Sequence, residues 1–129
     1  MAFTARVTEG WAQGSDLQSN TQSRPAAALL AIDETVAAAA THAEIACVLA
    51  TADIEAIYIV SDMDVTLDTN ATDAPGTTIA LLANQPYVWY SDSYYTNLLD
   101  ADVTALFLSN ADTSSTATFT LRAVYDPTP

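Results

Sequence analysis

The sequence predicts an all-β chain. Residues 25–129 read as an antiparallel β-sandwich of jelly-roll type, and residues 1–24 as an extended N-terminal arm or edge strand. Three observations carry that prediction. Residues 63–70 alternate strictly, with Met63, Val65 and Leu67 on one side and Asp64, Thr66, Asp68 and Asn70 on the other. That period of two marks a strand with one dry face and one wet, acidic face. Residues 117–125 alternate in the same way: Ala117, Phe119, Leu121, Ala123 and Tyr125 inward, Thr118, Thr120 and Arg122 outward. Between them, short apolar segments recur at regular spacing, separated by turn signals such as Pro75-Gly76, which is the pattern of a sandwich or jelly roll.

The elements follow in order. Phe3, Ala5 and Val7 alternate with Thr4, Arg6 and Thr8, as in an edge strand or pairing arm. Residues 12–24, AQGSDLQSNTQSR, are polar and lack a steady period, which predicts a loop or extended arm closed by Pro25. Residues 26–43 are alanine-rich, and alanine favours helix. The β context on all sides predicts a strand over 28–40 instead. Thr41-His42-Ala43 reads as a hairpin connection, and Glu44 to Ala50 as a strand apolar on both faces. Ile57-Tyr58-Ile59-Val60 is a β-branched and aromatic run suited to a central strand covered on both sides. Ser61-Asp62 is a bend that leads into the alternating stretch. Strands follow at 78–82, 87–90 and 103–109, with a tight turn at Asn84-Gln85 and a stop at Asp126-Pro-Thr-Pro129.

Composition bounds function. A chain of 129 residues is one domain's worth and long enough to bury a core without staples. Half of it is apolar, which excludes a disordered chain. Sixteen acidic residues face three basic ones, Arg6, Arg24 and Arg122, with no lysine, for a net charge of −13. That argues against nucleic acid and anionic membranes, both of which are held by Lys and Arg. The N-terminal residues MAFTARVTEGW lack the basic and apolar regions of a secretory signal, and no apolar run is long enough to span a bilayer.

Catalytic signals are poor, and no enzyme is predicted. His42 is the one histidine and Cys47 the one cysteine. A Cys47–His42 dyad is conceivable, since both could lie near one strand end. The apolar neighbours of Cys47 would raise its pKa rather than activate it, and a small buried hydrophobe is the stronger reading. No phosphate-binding loop, dinucleotide fingerprint or nucleophile elbow is present. Asp62, Asp64 and Asp68 are the best metal candidates, but they lack the glycine and glutamate of an EF-hand loop, so a solvated acidic face is preferred. Asn70-Ala71-Thr72 fits a glycosylation sequon and is discounted without a signal peptide. No cofactor is predicted.

Interface signals are better. The arm carries Phe3, Val7, Trp11 and Leu17, apolar residues that a free tail has no need of, and two of the three arginines, Arg6 and Arg24. Tyr94 and Tyr95 fall in a predicted loop, where aromatics mark partner surfaces. The interface set is therefore Phe3, Arg6, Val7, Trp11, Arg24, Tyr94 and Tyr95.

The series IYIVSDMDVTLDTN, IALLANQPYVWYSDSYYTNLL and DADVTALFLSNADTSSTATFTLRAVYDPTP resembles small structural proteins of tailed bacteriophages, of the capsid decoration (cement) kind. The resemblance covers residues 45–129 and rests on overall pattern. It implies a β-sandwich in many symmetric copies on the capsid surface, made in the host cytoplasm. The implied partners are the major capsid protein and copies of itself. Two alternatives stand beside it: a tail or fibre component that binds a receptor or glycan, and a small hydrolase or metal-dependent enzyme.

Overall fold

Ten strands form in the computed structural model, which describes residues 2–127; Met1 and the last two residues of the predicted stop, Thr128 and Pro129, lie outside the described residues. The strands are β1 (Phe3–Gln13), β2 (Asp16–Ala26), β3 (Ala28–Val36), β4 (Ala43–Leu49), β5 (Ile54–Ser61), β6 (Val65–Thr69), β7 (Thr78–Leu81), β8 (Tyr87–Tyr90), β9 (Val103–Asn110) and β10 (Ala117–Tyr125). A 3-10 turn at Thr51–Asp53 precedes β5. No helix among the described residues is long and apolar enough to cross a membrane.

Strands β3 to β10 make two four-stranded antiparallel sheets, ordered β3-β10-β5-β8 and β4-β9-β6-β7. The all-β sandwich expected from the sequence is what forms. Its interior comes from the alternation: Ile57 and Ile59 of β5, Phe119 and Leu121 of β10, Leu67 of β6, and Leu106 and Leu108 of β9 are all buried. Fully burying side chains of this size is worth roughly 1.5–3 kcal/mol each, so this layer is the main source of stability. Strands β5 and β6, the predicted central stretch, each lie inside their sheet, paired on both sides.

The alanine-rich segment is strand β3, ending at Val36. It pairs along its whole length with β10, from Ala28 opposite Tyr125 to Val36 opposite Ala117. Nonlocal pairing outweighs the helix preference of alanine here.

Three expectations about connections and faces are corrected. Residues 41–43 are not a hairpin turn, because β3 and β4 lie in different sheets; the tight turn expected at 84–85 does form, with the Gln85 N–H donating to the Leu82 carbonyl at 3.0 Å, and it too joins strands of different sheets, β7 and β8. The chain crosses the sandwich at both places. Strand β4 is not covered on its outer face, where Val48 is 80% exposed. The outer face of β5 is covered only in part: Ala56 is buried, whereas Tyr58 is 40% exposed. Local apolar content shows that a strand packs on something, but not on which side a second layer lies.

The largest correction concerns the arm. Residues 12–24 are no loop: β1 and β2 form a regular antiparallel hairpin, in register from Phe3 opposite Ala26 to Gln13 opposite Asp16. Its two-residue turn is Gly14-Ser15, with Gly14 at φ 59°, a backbone conformation that glycine adopts at no steric cost. The boundary expected at residue 24 falls within β2, two residues before its end.

Candidate functional site

The hairpin is held to the body at its base. Odd-numbered residues of β1 face the outer side of the β3-β10-β5-β8 sheet. Phe3, Ala5 and Val7 pack there with Tyr90 on a small buried cluster of Ala26, Ala56 and Val124. Arg24 adds a polar clamp. Its guanidinium lies 5.2 Å from the centroid of the Tyr90 ring, and its Nε–H donates to the Ser91 carbonyl at 2.9 Å. The Tyr90 hydroxyl donates to the Glu9 carboxylate at 2.8 Å, and this bond raises the tyrosine pKa above its ordinary value. Ala27, where the hairpin joins β3, donates its N–H to Asp126 at 2.8 Å.

Beyond Glu9 the hairpin leaves the body. Every residue from Thr8 to Thr21 is exposed, on both faces of the ribbon. Trp11 is 61% exposed on the face that continues from Phe3, Ala5 and Val7, and Leu17 is 71% exposed on the opposite face. A two-stranded ribbon in water is marginally stable alone. Nothing within the described residues covers this one.

Beside β1, on the side away from β2, runs an apolar groove of about 570 Å3. Its wall is residues 4–9 of β1, and its floor is the outer sheet face, including Leu29, Tyr58, Val88 and Val124. Arg6, Arg122 and Tyr95 stand around it. Arg122 is held in place by an ion pair with Asp33, its Nη2 donating to both carboxylate oxygens at 2.8 and 3.0 Å. All three arginines of the chain thus sit in or beside this groove and the hairpin base.

The interface set expected from the sequence is divided by the structure. Phe3, Val7 and Arg24 attach the hairpin to its own body; Trp11 and Arg6 remain free for contact. Tyr94 and Tyr95 are both exposed in the segment between β8 and β9, as expected of a loop. That loop is pinned from beneath: the Trp89 indole N–H donates to the Tyr95 carbonyl at 2.8 Å, and the Tyr87 hydroxyl donates to Asn97. Leu29, Tyr58 and Val88 were missed by sequence reasoning, whereas Leu17 was marked on the arm without the hairpin that exposes it.

The acidic candidates do not converge. Asp62 accepts the Thr118 N–H at 2.6 Å, and Asp64 accepts the Ala83 N–H at 2.7 Å. Asp68 was expected on a wet face. It is 7% exposed instead, accepting from the Thr78 hydroxyl at 2.7 Å and facing the His42 Nε2 at 3.4 Å. Each carboxylate is spent on its own turn or neighbour, and no cluster of three or more ligating side chains occurs among the described residues. Cys47 points into the core while His42 lies on the outer face against Asp68, so the two form no dyad. Burial pushes the Cys47 thiol up to about 11. The Asn70 amide of the sequon donates to the Asp102 carbonyl at 2.8 Å.

No protein-family model matches this chain, and no curated protein or solved structure is significantly similar to it. The functional reading therefore rests on the geometry above and on the sequence pattern.

Proposed function

We propose that the chain is a structural virion protein of a tailed bacteriophage, of the capsid decoration kind, which works through protein–protein contacts and catalyses no reaction. The observation that carries this reading is the projecting hairpin: a fully exposed ribbon with a tryptophan and a leucine on opposite faces, clamped at its base to a rigid sandwich. Such a ribbon suits a segment that orders a neighbouring subunit against the body. The strand order supports the same reading. Two four-stranded antiparallel sheets, ordered β3-β10-β5-β8 and β4-β9-β6-β7, suit the double-sheet arrangement of jelly rolls, which is used in viral capsid and lectin domains. The high negative charge keeps many copies soluble before assembly.

One observation favours the tail or fibre alternative: exposed Tyr94 and Tyr95 on a pinned loop offer stacking surface to a glycan. Electron microscopy of virions made with and without the protein separates the two. Density lost from the head supports decoration, and density lost only from the tail replaces it. Full-length chain with Trp11→Ala and Leu17→Ala should fold normally and bind purified capsids weakly. Unchanged binding would remove the hairpin from the contact. Hydrolytic activity that disappears in His42→Ala would overturn the non-enzymatic reading.

A further inference from the structure

We propose that the hairpin pairs with the same hairpin of a second copy of this chain. The free edge of β1 would add to the free edge of its counterpart about a twofold axis, making a four-stranded ribbon. The inference rests on the hairpin's being a contact segment, not on the assembly's being a virion.

Backbone chemistry comes first. β1 pairs only with β2, so the N–H and C=O groups on its other edge are unpaired. An unpaired edge of eleven residues is a template for another strand. The edge faces the groove, because the groove is walled by consecutive residues of β1 and by none of β2.

The side chains then choose the occupant. Antiparallel pairing of β1 with its copy, centred on Thr8, sets Trp11 of one chain opposite Ala5 of the other. Directly opposed residues share a face. Ala5 faces the body, so the incoming Trp11 turns toward the apolar floor that Tyr58 and Val88 leave uncovered. The projecting half of each hairpin, which lacks a body beneath it, thereby gains the body of its partner.

Charge agrees. Residues 1–26 carry Arg6 and Arg24 against Glu9 and Asp16 and are neutral, so the whole formal charge of −13 resides on the remainder of the chain. Two bodies repel; two hairpins do not. Within the hairpin, Asp16 at the tip is the one charge beyond the groove wall; Glu9 stands on that wall with Arg6, while Arg122 lies in the groove and Arg24 at the base. Tip-to-base pairing turns each Asp16 tip toward the end of the ribbon where the other copy's arginines lie. A parallel or tip-to-tip arrangement would not.

Sedimentation velocity on the full-length chain over a wide concentration range tests this. A reversible dimer is expected. Trp11→Ala and Tyr58→Glu, each at an exposed position, should each weaken it by about tenfold or more, as central aromatic anchors do, with unchanged circular dichroism and urea midpoint. A species that stays monomeric at millimolar concentration overturns the proposal. So does a dimer that both variants leave intact, or an open series of larger oligomers, which a closed twofold contact does not produce. A monomer whose binding to capsids still depends on Trp11 removes the self-pairing and leaves the virion reading standing.

Discussion

Arg24 and Tyr90 form the joint between the hairpin and the sandwich: the guanidinium of β2 stacks 5.2 Å from the centroid of the β8 ring. The same arginine is tied to the Ser91 carbonyl, and the same tyrosine to Glu9 of β1. Both strands of the ribbon are thereby fastened at one place, and everything beyond that place projects.

Replacing Arg24 with alanine should loosen the joint and leave the sandwich standing. The lost cation–π contact and hydrogen bond together amount to about 1–2 kcal/mol. Native-state hydrogen exchange should speed up in β1 and β2 while the amides of β5 and β10 keep their protection. Uniform loss of protection would show that the hairpin and the sandwich unfold as one unit.

The two faces of the central strands should respond unequally to truncation. Leu67→Ala and Phe119→Ala remove side chains with no exposed surface and should cost about 2–5 kcal/mol. Thr118→Ala, on the exposed face of β10, should stay within roughly 0.5 kcal/mol. Urea midpoints measure both, and equal losses would contradict the assigned faces.

Asn110 is a buried polar knot between three segments. Its side-chain N–H groups donate to the carbonyls of Ser115 at 2.9 Å, Val36 at 3.3 Å and Ala37 at 3.4 Å, and its Oδ1 accepts the Asp112 N–H at 3.1 Å. Asn110→Leu keeps the volume and strands those partners, at a cost of about 1–3 kcal/mol. A variant as stable as the parent would mean that water replaces the amide.

Cys47 should be inert in the folded protein. Its thiol is 4% exposed, and burial raises its pKa from 9.0 to about 11. A thiol reagent at pH 8 should modify it only after denaturant is added. The stability it contributes is complete below the ordinary thiol pKa and is lost as pH rises from 9.0 toward 11, because the unfolded chain ionises first. Cys47→Ala should flatten that alkaline limb of the stability curve. Rapid labelling of the native protein would show that β4 opens.

Wherever one face of a strand is dry, the sequence by itself determined the element. Alternation at 63–70 and 117–125 located β6 and β10, the apolar run at 57–60 located β5, and the surrounding strands located β3 within an alanine-rich stretch. The β2 strand was not legible, because both its faces are wet along most of its length and a ribbon without a dry face carries no period of two. The burial of Asp68 was equally hidden: its strand parity was right, but His42 and Thr78, which cover it, come from elsewhere in the chain. Tertiary structure alone decided that 41–43 and 84–85 cross between sheets, that Phe3, Val7 and Arg24 serve as anchors while Trp11 stays free, and that Arg6 and Arg122, distant in sequence, line one groove beside the Arg24 clamp. Alternation is a local property, set by the pleat of a single strand, whereas what covers a strand's outer face depends on partners brought together from across the chain.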